Sequence, residues 1–201
     1  HNTGRLDNDW AFQLRGSLIQ SDGFIDRASS DLKSANLVAA KYWEKSVFKT
    51  NILLGSERTY QAWWGIPEPT FNGDMAGETR YINNLWIGGQ DLENLQNSNS
   101  KTYNYYTYEN EVDNYNQNHY QFFFDHEFTP FLKLNTASYV TTGKGYFEQF
   151  KAGEDFADYG IDSVQPTGDT ALSGNVVRRR WLDNTLAGGI ANITYRKDRL
   201  E

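Results

Sequence analysis

The strand-like stretches of this chain are joined by connections of two lengths, and the two lengths alternate. Trp43-Glu44-Lys45-Ser46 and Phe128-Thr129-Pro130 read as tight turns. Gln20 to Leu32, Tyr60 to Asn118 and Thr142 to Asn184 are long by comparison. Short connections therefore fall at one end of any sheet built from these strands, and long ones at the other. Compact soluble domains rarely carry structureless loops beyond roughly 15 residues. Transmembrane β-barrels do so as a rule, with short turns at one rim and long loops at the other.

The strands themselves read at 10–19, 33–43, 47–59, 119–128, 131–141 and 185–195. In the first, Trp10, Phe12, Leu14 and Leu18 alternate with Gln13, Arg15 and Ser17; in the fourth, Tyr120, Phe122, Phe124 and Phe128 alternate with Gln121, Asp125 and Glu127. Period-two alternation with ionisable groups on one side describes a half-buried strand with one wet face. About ten residues is also the length of a tilted strand crossing a bilayer. This predicts Trp10, Leu14, Phe122 and Phe124 toward lipid, and Gln13, Arg15, Gln121 and Asp125 toward a lumen. Six strands cannot close such a barrel, because the smallest have about eight, and an open edge in lipid costs several kcal/mol per unpaired backbone group. The expectation is an all-β, antiparallel transmembrane barrel segment of about six strands with long extracellular loops at about 20–32, 60–118 and 142–184. Residues 196–201 read as the next turn, which places both termini on the short-turn side. The chain opens on His1, and no signal-peptide-like apolar stretch follows it, so it reads as an internal piece.

Composition removes several other classes. The 201 residues carry a net charge of -7 and a single basic cluster, Arg178 to Arg180, which argues against a nucleic-acid partner. No apolar run exceeds Leu37 to Ala40, so no transmembrane helix is expected. There is no Cys, and hence no disulfide or thiolate site.

Several segments resemble the barrel of TonB-dependent outer-membrane receptors of the iron-complex (siderophore) type. Ser21-Asp-Gly-Phe-Ile-Asp-Arg-Ala-Ser-Ser-Asp-Leu-Lys33 resembles a first surface loop and its re-entry. Thr59-Tyr-Gln-Ala-Trp63 is similar to the top of the next upward strand, and Asp113-Asn-Tyr-Asn-Gln-Asn-His-Tyr120 to the descent from the long loop. Gly143-Lys-Gly-Tyr-Phe-Glu-Gln-Phe-Lys151 and Arg179-Arg-Trp-Leu-Asp-Asn184 resemble the stretches that bound the following loop. They occur in the family's order over nearly the whole chain. The resemblance implies a barrel of roughly 22 strands around a separate plug, in the outer membrane of a Gram-negative bacterium. It also implies outer-membrane lipid around the wall, a TonB complex acting through a plug region not among these residues, and an iron-chelate ligand, with no cofactor held.

Candidate ligand contacts concentrate in the long loop: Trp63, Trp64 and Trp86, then Tyr103, Tyr105, Tyr106 and Tyr108 among Asn94, Asn97, Asn99, Asn104 and Asn110. Aromatic faces stack on sugars or aryl chelators, and Tyr and Asn add adaptable hydrogen bonds. The same residues can serve instead as the loop's own core. Arg178 and Arg179 have the forked donors that suit an anionic chelate, but a rim cluster pairing with Asp183 or with lipid phosphates is favoured. Glu154, Asp155, Asp158 and Asp162 match no EF-hand spacing and read as a solvated acidic loop. Lys144 between Gly143 and Gly145 lacks the spacing of a phosphate loop. His119 and His126, seven apart on one strand, fall on opposite faces about 23 Å apart and cannot share a metal. No catalytic constellation is nominated, so no enzyme activity is expected. The alternative readings are a soluble all-β carbohydrate-binding module, a barrel for oligosaccharide, cobalamin or haem, and a non-transporting surface barrel.

Overall fold

Alternation over 10–19 extends in the structure to a full strand, and so does every other alternating stretch. The computed structural model describes residues 1–85, 87–162 and 172–197. These form one antiparallel sheet of seven strands in chain order: β1 (Asn2–Arg5), β2 (Trp10–Ser21), β3 (Ser30–Tyr42), β4 (Ser46–Tyr60), β5 (Val112–Thr129), β6 (Leu132–Asp155) and β7 (Ser173–Tyr195). The sheet does not close: β1 and β7 are free edges among the described residues. Residues 6–9, 43–45 and 130–131 make the turns at one end, and 22–29, 61–85, 87–111 and 156–162 lie at the other.

Four differences from the sequence expectation have physical causes. The strand count is seven rather than six, because β1 is only four residues long and contains Gly4 at φ +64. The His1 ammonium meets the Leu14 carbonyl at 2.8 Å, so this terminus lies partway up β2 rather than at the short-turn end. β5, β6 and β7 are each extended toward the long-loop end by 7, 14 and 12 residues relative to starts or ends at 119, 141 and 185. Asn114, Asn116 and Asn118, with Gly143 and Gly145, disguise these extensions as loop. Finally, the long connection is not all irregular: it holds α1 (Glu68–Asn72), α2 (Met75–Leu85) and α3 (Gly89–Asn97). α1 starts beside Pro67 and Pro69 and ends at Gly73, whose φ of +70 suits a residue without a side chain.

Register separates the two faces. Trp10 pairs across to Lys41, Phe48 and Phe124; Phe12 to Ala39, Thr50 and Phe122; Leu14 to Leu37, Ile52 and Tyr120. On the other side, Gln13 aligns with Val38, Asn51 and Gln121, and Arg15 with Asn36, Leu53 and His119. Directly opposed residues share a face. The wet face is tied by amides: Asn36 donates to Asn51 at 2.6 Å, and Asn51 donates to Gln121 at 2.9 Å. On β6 the apolar face runs from Leu132 to Val140, about 26 Å along the strand at ~3.3 Å per residue, close to the ~25 Å apolar band of a transmembrane barrel. Above it the same face turns polar at the Lys144–Asp183 ion pair, 3.0 Å.

The sheet is a single layer with almost no core of its own. Of the buried apolar residues, only Ala40 belongs to its lower half. Tyr60, Ile87, Leu95, Tyr103, Val112 and Phe156 all sit at the long-loop end. Leu14, Leu18, Phe122, Leu186, Ile190 and Ile193 stay exposed. A sheet ordinarily buries one face against another element; here what is buried is the junction between loops and strand tops.

Candidate functional site

Residues 61–111 are seated on the upper ends of β4, β5 and β6 by a small set of buried polar anchors. Asn104 is 0% exposed. Its amide donates to the carbonyls of Asp26 and Gln61 at 2.9 and 3.1 Å, and its side-chain oxygen accepts the Tyr106 N–H at 3.1 Å. The Asn104 carbonyl accepts from the Arg27 guanidinium and from the Asn94 amide, both at 2.8 Å. Arg27 also donates to the Tyr106 carbonyl at 2.8 Å, from a backbone at φ +65. The loop over 22–29 and the loop over 61–111 are therefore one polar unit. Tyr60, at the top of β4, donates its hydroxyl to the carbonyls of Tyr106 and Tyr108 at 3.1 and 2.7 Å.

Glu148 on β6 is the second anchor. It is 2% exposed and accepts from the Tyr108 hydroxyl (2.8 Å), the Asn110 amide (2.6 Å) and Arg179 (2.5 Å). Burial raises its pKa, but the donors Asn110, Arg179 and Tyr108 outweigh burial and hold the carboxyl below the usual glutamate value. Glu148 and Arg179 are direct cross-strand partners. Of the rim partners expected for the arginines, Asp183 or lipid phosphates, Asp183 is taken by Lys144, and Arg179 pairs with Glu148. The Arg179 guanidinium also lies 4.6 Å from the Tyr146 ring centroid. Arg178 points to the opposite face, where Nε and Nη2 both donate to the Gln149 side chain, at 3.1 and 2.9 Å.

The aromatic candidates divide into core and surface. Tyr103 is buried with Leu95 and Ile87 inside the loop. Burial, then the neighbouring Tyr81, Tyr105 and Asp91, push its hydroxyl up to about 12. Trp64, Tyr105 and Tyr106 form a tilted trio, with Trp64 to Tyr105 at 5.0 Å and Tyr105 to Tyr106 edge-on at 5.6 Å. Tyr108 packs on Phe150 at 5.8 Å. Trp63 is 73% exposed. Trp86 lies outside the described residues.

Two cavities open between this loop and β6. The larger, of about 730 Å³, is lined by Trp64, Tyr105, Tyr106, Tyr108, Phe150, Asp91, Glu111, Glu154 and Lys151, with Gln90, Gln149 and Asn175 supplying amides between them. The smaller, of about 340 Å³, is lined by Gln61, Trp63, Tyr106, Asp113, Phe147 and Gln149. Tyr106 and Gln149 border both. The structure thus brings Trp64, Tyr105, Tyr106 and Tyr108 to one cavity and Trp63 to its neighbour. It places Tyr103 in the loop core, and commits Arg178 and Arg179 to partners on two faces of β7. Burial raises the pKa of Glu111, opposed by the Phe150 N–H and Lys151, and burial likewise raises Asp91 and Asp113. The arrangement offers stacking faces beside partly desolvated carboxylates.

Arg27, Glu111, Glu148 and Phe150 were not singled out from the sequence as site residues, and Asn104, named there as a possible ligand contact, is instead a buried anchor. Continuing the alternation of 131–141 to residue 151 places Glu148 on one face with Lys144 and Tyr146, a signal that was present. Asn104 and Arg27 act across 77 positions of sequence and give no local signal. Of the acidic loop residues, Glu154 accepts from Tyr159 and Asp155 caps Ala157. His119 contacts Thr141 at 3.0 Å and His126 contacts Ser46 at 2.7 Å, on opposite faces.

No protein-family model and no curated protein sequence matches the chain. Two solved structures share its fold, the open and closed forms of the ferric-catecholate import receptor Fiu from Escherichia coli K12. The open form aligns with a TM-score of 0.59 at 13% identity, over 96% of this chain and 28% of that one. The closed form gives 0.60 and 14%, over 96% and 26%. The chain thus spans little more than a quarter of the receptor it resembles.

Proposed function

We propose that this chain is a segment of the wall and surface loops of a TonB-dependent outer-membrane receptor that imports a ferric siderophore or a similar iron chelate. The observation that supports it most is the one-ended distribution of loops on an open, single-layer meander, matched in shape along 96% of its length by part of an import receptor. A sheet with an apolar face about 26 Å long, a wet opposite face and free edges is suited to lipid on one side, a lumen on the other and further strands at both edges. On this reading the barrel closes at roughly 22 strands, and contact with TonB is made through residues outside this sequence. The ligand is bound by the loop cavities without chemical change. Trp63, Trp64, Tyr105, Tyr106 and Tyr108 are the contacts we assign, with Tyr103 supporting them from beneath.

The experiment is a binding titration of the full-length protein in detergent micelles against catecholate, hydroxamate and citrate chelates of iron. Saturable binding of one of them, lost when residues 66–104 are deleted, is the expected result. Saturable binding of cobalamin, haem or an oligosaccharide, with none of the iron chelates bound, would overturn the iron assignment.

A further inference from the structure

The larger loop cavity has a charge that its position in such a receptor does not explain. Counted over the described residues, its lining holds three carboxylates, Asp91, Glu111 and Glu154, against one cation, Lys151. Among the described residues Lys151 forms no ion pair with any of the three. The nearby arginines are engaged elsewhere, Arg178 by Gln149 and Arg179 by Glu148. Glu111 is 3% exposed. One of its oxygens accepts the Phe150 N–H at 3.1 Å, and the other has no hydrogen-bond partner among the described residues. Its side chain borders the cavity, so this oxygen can accept from a donor bound there. Beside it stand the rings of Trp64, Tyr105 and Tyr106, set at angles of 48° and 79° to one another across successive pairs. Angled aromatic faces with a carboxylate close by recognise an organic cation, since ring quadrupole and counter-charge act in the same direction. An anionic chelate in the same place would meet the carboxylates instead.

We propose that this cavity binds an organic cation, an alkylammonium head seated against Trp64, Tyr105 and Tyr106 with Glu111 as its counter-charge. At about 730 Å³ the cavity has room for a small ligand's whole frame and not only its head. The inference rests on the import reading in one respect: the ammonium would be borne by the imported chelate, which selects positively charged or zwitterionic chelates over purely anionic ones.

The test uses the full-length protein in detergent micelles and two probes of similar size, benzyltrimethylammonium and benzenesulfonate, followed by calorimetry. Saturable binding of the ammonium, weakened roughly tenfold by Glu111→Gln and by Trp64→Ala, with the sulfonate bound far more weakly, is the expected result. Gln retains an acceptor for the Phe150 N–H, and Asp91→Asn provides a second charge-removing variant should Glu111→Gln disturb folding. Equal or tighter binding of the sulfonate, or ammonium binding unchanged in all the folded variants, would overturn the proposal. Iron-chelate uptake by cells separates the two claims. Uptake of an anionic chelate without ammonium binding leaves the receptor reading standing and removes this one; ammonium binding without uptake of any iron chelate does the reverse.

Discussion

Single residues carry the junction between loop and sheet, and Glu148 carries most. Its three donors come from the loop (Tyr108, Asn110) and from the neighbouring strand (Arg179). Glu148→Ala leaves these donors facing a small cavity, at a cost of about 3 kcal/mol. The loss is expected in residues 61–111, read as faster protease cleavage there, while the strands keep their protection; unchanged cleavage would remove Glu148 from this role. Acid acts on the same contact. The Glu148 pKa is held below its ordinary value, so its stabilisation is complete above the unfolded value of 4.5 and is lost as pH falls through the folded one. Glu111 has the opposite sign: its pKa is raised by burial, and folding favours its protonated form as pH falls. The two act on opposite sides of 4.5: as pH falls, protonation of Glu111 adds stability between its raised folded value and 4.5, and loss of the Glu148 contact removes stability below 4.5. Glu111→Gln is therefore expected to abolish the gain in loop stability on going from neutral pH to 4.5, read from the thermal midpoint of the near-ultraviolet dichroism of the tyrosine cluster, and to leave the loss below 4.5 in place. A Glu111→Gln profile identical to the native one would contradict this.

At the scale of elements, the long upper strands are held in register by tyrosines lying over glycines. On the wet face Tyr115 covers Gly143 and Gly145, and Tyr139 covers Gly188. The three glycines differ in what a methyl group would meet. At Gly143 it meets the tip of Tyr115, and at Gly188 the Tyr139 ring, both at the ends of side chains that can turn. At Gly145 it meets the Asn114 carbonyl at 2.2 Å and the Tyr115 Cα at 2.6 Å, which are backbone. Gly145→Ala is therefore expected to cost about 1 to 3 kcal/mol or more and to separate β5 from β6 locally. Gly143→Ala and Gly188→Ala should cost less. The fraction refolded in detergent, compared across the three variants, gives the order; equal yields would contradict it. Gly143, Gly145 and the Asn114, Asn116, Asn118 series are also why β5 and β6 read shorter in the sequence than they are. Gly and Asn are depleted in strands as isolated residues, and the cross-strand tyrosines that compensate come from elsewhere in the chain.

At the scale of the whole molecule, the sheet has two free edges among the described residues and two faces of opposite character. Cysteine placed at Leu14 or Phe122 should be shielded from a water-soluble thiol reagent in the membrane-embedded full-length protein and reached by a lipid-soluble one. At Gln13 or Gln121 the pattern should invert. Equal labelling of both sets by the aqueous reagent would rule out a membrane wall and revive a soluble binding module.

The antiparallel all-β class, the two faces of the strands at 10–19 and 119–128 and the end at which the long loops gather were legible in the sequence alone. Each follows from local periodicity and from connection length, and neither needs a partner in space. The aromatic composition of the long loop was equally visible. Which aromatics form a core and which line a cavity was decided by tertiary structure, because Tyr103 and Tyr105 differ only in what surrounds them. The same holds for Asn104, Arg27 and Glu148. Each is an ordinary polar residue in sequence, and each becomes an anchor only because burial removes water and leaves a few donors and acceptors from distant segments to satisfy it.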